Sequence, residues 1–393
     1  MKKVLQISNY MYPHIGGIEQ VARDIADALK GEEIEEKIIC FNEDAKDGDC
    51  VCSRKETVTD TVDGIDVIRC GCFTKVASQS LSLSYPGELK KVIASFRPDT
   101  VILHYPNPYV SFFLLKMLPE STRFILYWHL DIIKQKMLGK LFHSQTMALL
   151  RRADRVVATS PNYIEGSRYL SAFRDKCIVI PNAIRPERLE MTDTIRAKAD
   201  SIREENRGKT ICFAVGRHVE YKGMIYLVKA GKLLGDNVKI YIGGKGPLTE
   251  SLKTECGDDG KIVFLGRVSD DDLTAYYSAC DIFCFPSITK NEAFGIALAE
   301  AMYFGHPAVT FTIPGSGVNY VSINGETGIE CPNCDVKAYA DAIEKLASDK
   351  VLREKYGEKA RERVVDNFLY GSFRETVRNL ILGDGTTPED KEQ

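Results

Sequence analysis

The sequence predicts an α/β protein of two domains, each a parallel sheet flanked by helices. Three observations carry this. A chain of 393 residues is too long for one hydrophobic core of ordinary size and fits two. Short apolar runs alternate with amphipathic helical stretches in both halves, the strand-helix-strand order that demands parallel strands with helices on both faces. Between the two series lies Pro181 to Arg207, with prolines at 181 and 186 and then a charged stretch, which reads as a connection between domains.

In the first series Val4 to Ile7 is a buried strand, Ile18 to Leu29 an amphipathic helix and Lys37 to Phe41 the second strand. Further strands are expected at Ile65 to Arg69, Thr100 to His104, Arg123 to Trp128, Arg155 to Thr159 and Cys177 to Ile180. The opening MKKVLQIS has the lysines of a signal peptide but neither its long apolar core nor its cleavage site. Tyr109 to Leu118, interrupted by Ser111 and Lys116, is too short to span a bilayer. A cytoplasmic location is therefore expected. The second series has strands at Thr210 to Val215, Lys239 to Ile242, Lys261 to Leu265, Ile282 to Phe285 and Ala308 to Phe311. A final helical stretch, Leu352 to Leu382, breaks near Asp366 to Gly371, and the charged, proline-bearing tail after it is expected to be disordered. The domains expected are 1–185 and 186–365, with 366–382 as a terminal helix and 383–393 as the tail.

Net charge is −3 and the isoelectric point about 6.2, so the whole molecule lacks the basic footprint of a nucleic-acid binder. Twelve cysteines include Cys50-x-Cys52, Cys70-x-Cys72 and Cys331-x-x-Cys334. In a cytoplasmic chain these read as reduced thiols, although four thiolates from the first two pairs would suffice for a zinc tetrahedron. The spacing is unlike the usual Cys-x2-Cys knuckle, and no metal is expected.

The stretch Asn291 to Met302, NEAFGIALAEAM, is the most informative. Were Glu292 and Glu300 both helical, they would lie about 80° apart around the axis and roughly 12 Å along it, too far to share one small ion. The better reading places Glu292 in a loop and Glu300 two turns into a helix. Phe294, Gly295 and Ile296 then present backbone N–H groups at the helix N-terminus, which favours anions. A ligand with hydroxyls at both ends and phosphates between suits two such carboxylates. Glu300 would take the ribose hydroxyls and Glu292 those of a sugar ring; solvent-facing helix glutamates are the plainer alternative. Arg217 and Lys222, in GRHVEYKG at a strand-to-helix junction, form either a solvated basic pair or a clamp on a diphosphate, as a planar fork and a point charge. Gly16 and Gly17 make a turn or let a phosphate approach the backbone. Gly243-Gly244-Lys245-Gly246 lacks the spacing of a dinucleotide loop. His129, in YWHLD at the end of a strand, is either a packed residue or one facing a ligand, and Asp131 two residues on would orient it or meet an acceptor.

NEAFGIALAEAM and VGRHVEYKG together resemble the retaining glycosyltransferases of the GT-B fold that carry an E-x7-E signature. The resemblance spans nearly the whole chain. It implies two Rossmann-like domains facing each other across a cleft, the last helix returning to the first domain, and ligands at the carboxyl ends of both sheets. It further implies that His129 contacts the transferred sugar, that Arg217 and Lys222 stabilise the departing diphosphate, and that Gly266-Arg267-Val268 edges the base. Asp270 either accepts from guanine or belongs with Ser269 to a helix start. No Asp-x-Asp metal motif is present, and no cofactor is implied beyond the nucleotide sugar as co-substrate.

HLDIIKQK resembles glycosyltransferases of bacterial surface polysaccharides, mannosyltransferases included. Lys134, Lys136, Lys140, Arg151 and Arg152, interleaved with Ile132, Ile133, Met137, Leu138, Leu141 and Phe142, would form a solvated helix or lie on an anionic membrane, which a lipid-linked acceptor would require. The function expected is transfer of a hexose from GDP-mannose or a UDP-hexose, without metal and with retention, to a saccharide or lipid-linked saccharide. The rivals are a silent scaffold subunit and a sugar-nucleotide epimerase.

Overall fold

The computed structural model describes residues 1–14, 16–31, 33–43, 52–76, 79–132 and 139–383. The chain forms two compact units. Unit 1 comprises Met1–Thr159, Ser167–Ile180 and everything from Gly371; unit 2 comprises Ser160–Gly166 and Pro181–Tyr370.

Among the described residues, the strands of unit 1 are β1 (Lys2–Ile7), β2 (Ile34–Asn42), β3 (Val58–Val62), β4 (Ile65–Gly71), β5 (Thr74–Val76), β6 (Gln79–Leu81), β7 (Thr100–Tyr105), β8 (Arg123–Trp128), β9 (Arg155–Ala158) and β10 (Cys177–Val179). Eight form one sheet in the order β10-β9-β8-β7-β1-β2-β4-β3. Pairing is parallel except between β3 and β4, which a tight turn at Asp63-Gly64 joins as a hairpin. Val4, Leu5, Ile7, Val101, Leu103 and Phe124 are fully buried, as parallel strands covered on both faces require. The order reverses between β1 and β7, the kind of switch point at which ligands bind beyond the carboxyl ends of strands.

Unit 2 has β11 (Thr210–Val215), β12 (Val238–Gly243), β13 (Ile262–Gly266), β14 (Ile282–Phe285), β15 (Ala308–Phe311) and β16 (Gly328–Cys331) in an all-parallel sheet of order β13-β12-β11-β14-β15-β16. Its switch point falls between β11 and β14. The two units are thus Rossmann-like α/β bodies.

Several expectations need correction. Pro181 to Arg207 is no mere connection: it belongs to unit 2 and contains the helix Asp193–Glu205. Ile195, Ala199 and Ile202 place an apolar stripe at helical spacing in the unit's core, a signal masked by the surrounding charge. The N-terminal part of unit 1 ends at Ile180, five residues before the expected boundary, and it gives up Ser160–Gly166 to unit 2. β3, β5, β6 and β16 were not expected, being short and polar or lacking the apolar alternation that marks a strand. The terminal helices are Lys350–Asn367 and Tyr370–Leu382. The second packs within unit 1, where Arg123 donates to Leu380 O at 2.7 Å and Arg378 pairs with Glu33 at 2.9 Å. Residues 384–393 of the expected tail lie outside the described residues.

Candidate functional site

In unit 2 the two strands flanking the switch point each deliver a side chain to the same spot. After β11 the chain passes Arg217 and makes a short 3-10 turn, Glu220–Lys222. It leaves that turn through Gly223 at φ +60°, where a Cβ would lie 2.0 Å from Pro286 O. Only glycine permits this approach of one loop to the end of β14. Ile288 N also donates to Tyr221 O at 2.9 Å, tying the loops together. The result is a hydrogen-bonded ion pair between Lys222 Nζ and Glu292 Oε2, with side-chain exposures of only 16% and 12%. Ser287 Oγ donates to the same carboxylate oxygen at 3.1 Å, and Ser316 Oγ donates to the Glu292 carbonyl. Burial pulls the Lys222 ammonium down, but the adjoining carboxylate and Tyr221 outweigh it and hold the pKa above the ordinary lysine value. Arg217 is exposed and makes no ion pair or side-chain hydrogen bond among the described residues.

Glu292 lies in the loop ahead of the helix Ile296–Tyr303. Gly295 at φ +96° cannot continue a helix backward, so Glu300 is the fifth helical residue. It stands about one turn in, not two. The N–H groups of Phe294, Gly295 and Ile296 have no protein partner among the described residues, while the Phe294 ring is buried edge-on to Phe368 at 5.3 Å and anchors the loop. Glu300 accepts from Tyr277 OH at 2.9 Å. Burial raises its pKa to about 7; the Tyr277 hydrogen bond opposes this, and the nearby Asp270 carboxylate adds to it. Asp270 and Glu300 are thus brought within electrostatic reach of each other.

Asp270 opens the helix Asp270–Ala279, and Ser269 is its N-cap, accepting from Asp272 N at 3.2 Å. The helix-start reading of this pair therefore holds. Val268 is half-buried, and its Cγ2 lies 2.9 Å from where a Cβ on Gly243 would stand. The Gly243–Gly246 turn has a packing role of its own, since a Cβ on Gly244 would meet Gly216 O at 2.0 Å.

In unit 1, His129 follows β8 and is 6% exposed. Its Nε2 lies 2.8 Å from His104 Nδ1, and the rings stack at 5.1 Å. Burial lowers the His129 pKa to about 3 and that of His104 well below the ordinary range. The orienting bond thus comes from His104, not from Asp131, whose Oδ1 accepts from Trp128 Nε1 at 3.0 Å and Ser167 Oγ at 2.8 Å. Gly17 opens the helix Gly17–Leu29 with Gly16 as its cap. A Cβ on Gly16 would stand 2.3 Å from Glu19 Oε2, so the helix's own carboxylate curls over its N-terminus and an incoming anion would compete with it.

Sequence reading missed His104, Gln6, Ser287 and Tyr277. His104 carried a usable signal: like His129 it sits at the carboxyl end of a buried strand.

Among the described residues no three His, Cys, Asp or Glu side chains could hold a metal ion. Cys50 lies outside them, and burial pushes the Cys72 thiol up to about 12. No helix of the described residues is long and apolar enough to cross a membrane. Of the basic stretch, Ile133, Lys134, Lys136, Met137 and Leu138 lie outside the described residues, as do the side chains of Lys140 and Leu141. Arg152 is engaged with the carbonyls of Pro119, Glu120 and Thr122.

Residues 196–363 match the family described as glycosyl transferases group 1, and residues 16–183 match a glycosyl transferase 4-like domain. The chain is 29% identical to O-antigen chain mannosyltransferase C of Escherichia coli over 96% of its own length and 97% of that protein. It is 30% identical to the D-rhamnosyltransferase WbpZ of Pseudomonas aeruginosa, over 90% of this chain and 88% of the other. Among solved structures, HepE of Anabaena in complex with UDP superposes with a TM-score of 0.76 at 16% identity, covering 97% of this chain and 100% of that one. At that identity the likeness speaks to the fold alone.

Proposed function

This chain belongs to the glycosyl transferases group 1 family and has the GT-B fold, and on that premise we propose a retaining, metal-independent hexosyltransferase of surface-polysaccharide synthesis. The donor is GDP-mannose or a UDP-hexose, and the acceptor a hydroxyl of a saccharide or lipid-linked saccharide at the inner face of the cell membrane. A mannosyltransferase and a D-rhamnosyltransferase of similar length among the relatives support this substrate class.

The observation that carries the reading is the Lys222–Glu292 pair beside the N–H groups of Phe294 to Ile296, which have no partner among the described residues. A diphosphate arriving at those N–H groups would share Lys222, with exposed Arg217 adding a second cation. Glu292, relieved of neutralising Lys222 by itself, would turn its carboxylate to the hydroxyls of the sugar. Glu300 would take the ribose, and Val268 the base together with Asp270, whose side chain has no hydrogen-bond partner among the described residues at the helix start. As the sugar–phosphate bond breaks, charge grows on the diphosphate, and fixed cations stabilise that change more than the ground state. These groups supply the role a divalent metal plays elsewhere. The acceptor oxygen attacks on the face the diphosphate leaves, a phosphate oxygen takes its proton, and His129 meets the sugar. Gly16 and Gly17 contribute backbone to the phosphate end if Glu19 gives way.

The test is thermal unfolding of the purified chain with UDP, GDP, ADP and their sugar conjugates, followed by transfer assays with and without EDTA. A nucleotide at 100 times its dissociation constant should stabilise by about 2.7 kcal/mol. One nucleotide family should do so, and EDTA should leave transfer intact. Stabilisation by none would favour a scaffold subunit, conversion of donor without acceptor an epimerase, and turnover restored only by Mg²⁺ or Mn²⁺ would overturn the metal-free mechanism.

A further inference from the structure

Unit 1 contains a hydrogen-bonded chain that leads away from His129 across neighbouring strands of the sheet. His129 Nε2 meets His104 Nδ1 at 2.8 Å, and His104 Nε2 meets Gln6 Oε1 at 2.6 Å. Gln6 Nε2 donates to Glu36 Oε1 at 2.8 Å and to Ala22 O at 3.2 Å. His104 and Gln6 are fully buried.

The direction of every bond follows from one end. A backbone carbonyl only accepts, so Gln6 must present its NH₂ to Ala22 and its oxygen to His104. That oxygen also only accepts, so His104 carries its hydrogen on Nε2. His104 is buried with no carboxylate bonded to it among the described residues, which keeps the imidazole neutral and leaves its Nδ1 as a lone pair. His129 must then carry its hydrogen on Nε2. Its Nδ1 is bare, with no hydrogen-bond partner among the described residues.

We propose that Gln6 and His104 are positioning residues for the donor sugar, locking His129 in the Nε2–H tautomer so that its Nδ1 accepts a hydrogen bond from a hydroxyl of the sugar. The proposal rests on the reading of His129 as a contact of the transferred sugar. It adds a polarity: His129 has an acceptor to offer and no proton to give. The sugar position it meets must bear a hydroxyl, and a donor deoxygenated there forfeits the bond and leaves the acceptor unpaired.

The tautomer can be observed directly. With ¹⁵N-labelled histidine, the six histidines give separable long-range ¹H–¹⁵N patterns, and His129→Gln and His104→Gln assign the two that matter. Both rings should show a protonated Nε2 and a bare Nδ1 at neutral pH; a protonated Nδ1 on His129 would overturn the lock. Gln6→Leu, which removes the acceptor, should mix the His129 tautomers. It should also lower kcat/KM by about tenfold, the worth of roughly one hydrogen bond in the transition state. Affinity for the sugar-free nucleoside diphosphate should not change. An unaltered His129 pattern with unaltered kcat/KM in Gln6→Leu counts against the proposal. Should that variant not fold, the spectrum of the natural chain still decides. If the tautomer is as expected but His129→Ala transfers sugar normally, the placement of His129 at the sugar fails and the lock does not.

Discussion

Around His129 in unit 1 the bonded groups are neutral imidazoles and an amide, aligned donor to acceptor, whereas in unit 2 the buried polar cluster is a charge pair, Lys222 with Glu292. Both clusters sit at the switch point of a parallel sheet, so the difference is not one of fold. On the proposed function, it lies in what each site would hold. A sugar hydroxyl needs an acceptor of fixed direction, which a neutral hydrogen-bond chain provides at modest cost. A diphosphate needs positive charge, and a buried ammonium without a ligand must be neutralised by a neighbour or lose its proton. Glu292 supplies that neighbour.

The largest expected effect separates the two clusters. Lys222→Met strands the Glu292 carboxylate and should cost about 3–5 kcal/mol in urea unfolding, and Lys222→Met with Glu292→Leu should recover most of it. His104→Gln, in the neutral cluster, should cost only about 1–3 kcal/mol, the penalty of an unsatisfied neutral partner. Equal losses at the two sites would break the distinction.

A smaller effect sharpens it with pH. Unit 1 does contain an acid, Glu36, whose pKa burial raises from 4.5 to about 8. The folded chain therefore holds this proton when the unfolded chain has lost it, so stability from Glu36 is present below pH 4.5 and drains away as pH rises to about 8. Unfolding measured from pH 5 to 8 should show this decline, on the order of 1–3 kcal/mol after allowance for screening. Glu36→Gln should remove that part of the decline; an unchanged slope would show that Glu36 does not carry it.

The smallest effect concerns Glu300, raised to about 7 in unit 2. Only the carboxylate accepts from two hydroxyls, so nucleotide affinity should weaken by up to about tenfold as pH falls through that value. Tyr277→Phe, removing the hydrogen bond that holds the pKa down, should move the midpoint upward. Glu300→Ala should abolish the pH dependence, while Glu292→Ala lowers transfer and leaves nucleotide affinity within about twofold. Equal loss of affinity in the two alanine variants would end this division of roles.

Much of this was legible in the chain because it is local. Apolar runs such as Val101 to Leu103 and Phe124 to Leu126 announce buried parallel strands, and a carboxylate on each side of an apolar turn marks Glu292 and Glu300. What failed was also local in cause. The stripe Ile195, Ala199, Ile202 is thin within a charged stretch, and the start of the helix bearing Glu300 depended on the left-handed Gly295 rather than on where apolar residues begin.

The sequence by itself determined the fold class, the strands of both sheets that bear the candidate site, and the residue types available at their carboxyl ends. Tertiary structure alone decided which of those residues meet. Lys222 finds Glu292 across 70 residues, and Gln6 finds His104 across 98, because strand order and register bring β11 beside β14 and β1 beside β7. Periodicity reports which face of an element is buried, but the pairing of distant strands is a collective outcome of packing, and no single segment encodes it. The charge of Lys222 and the tautomer of His129 are settled there.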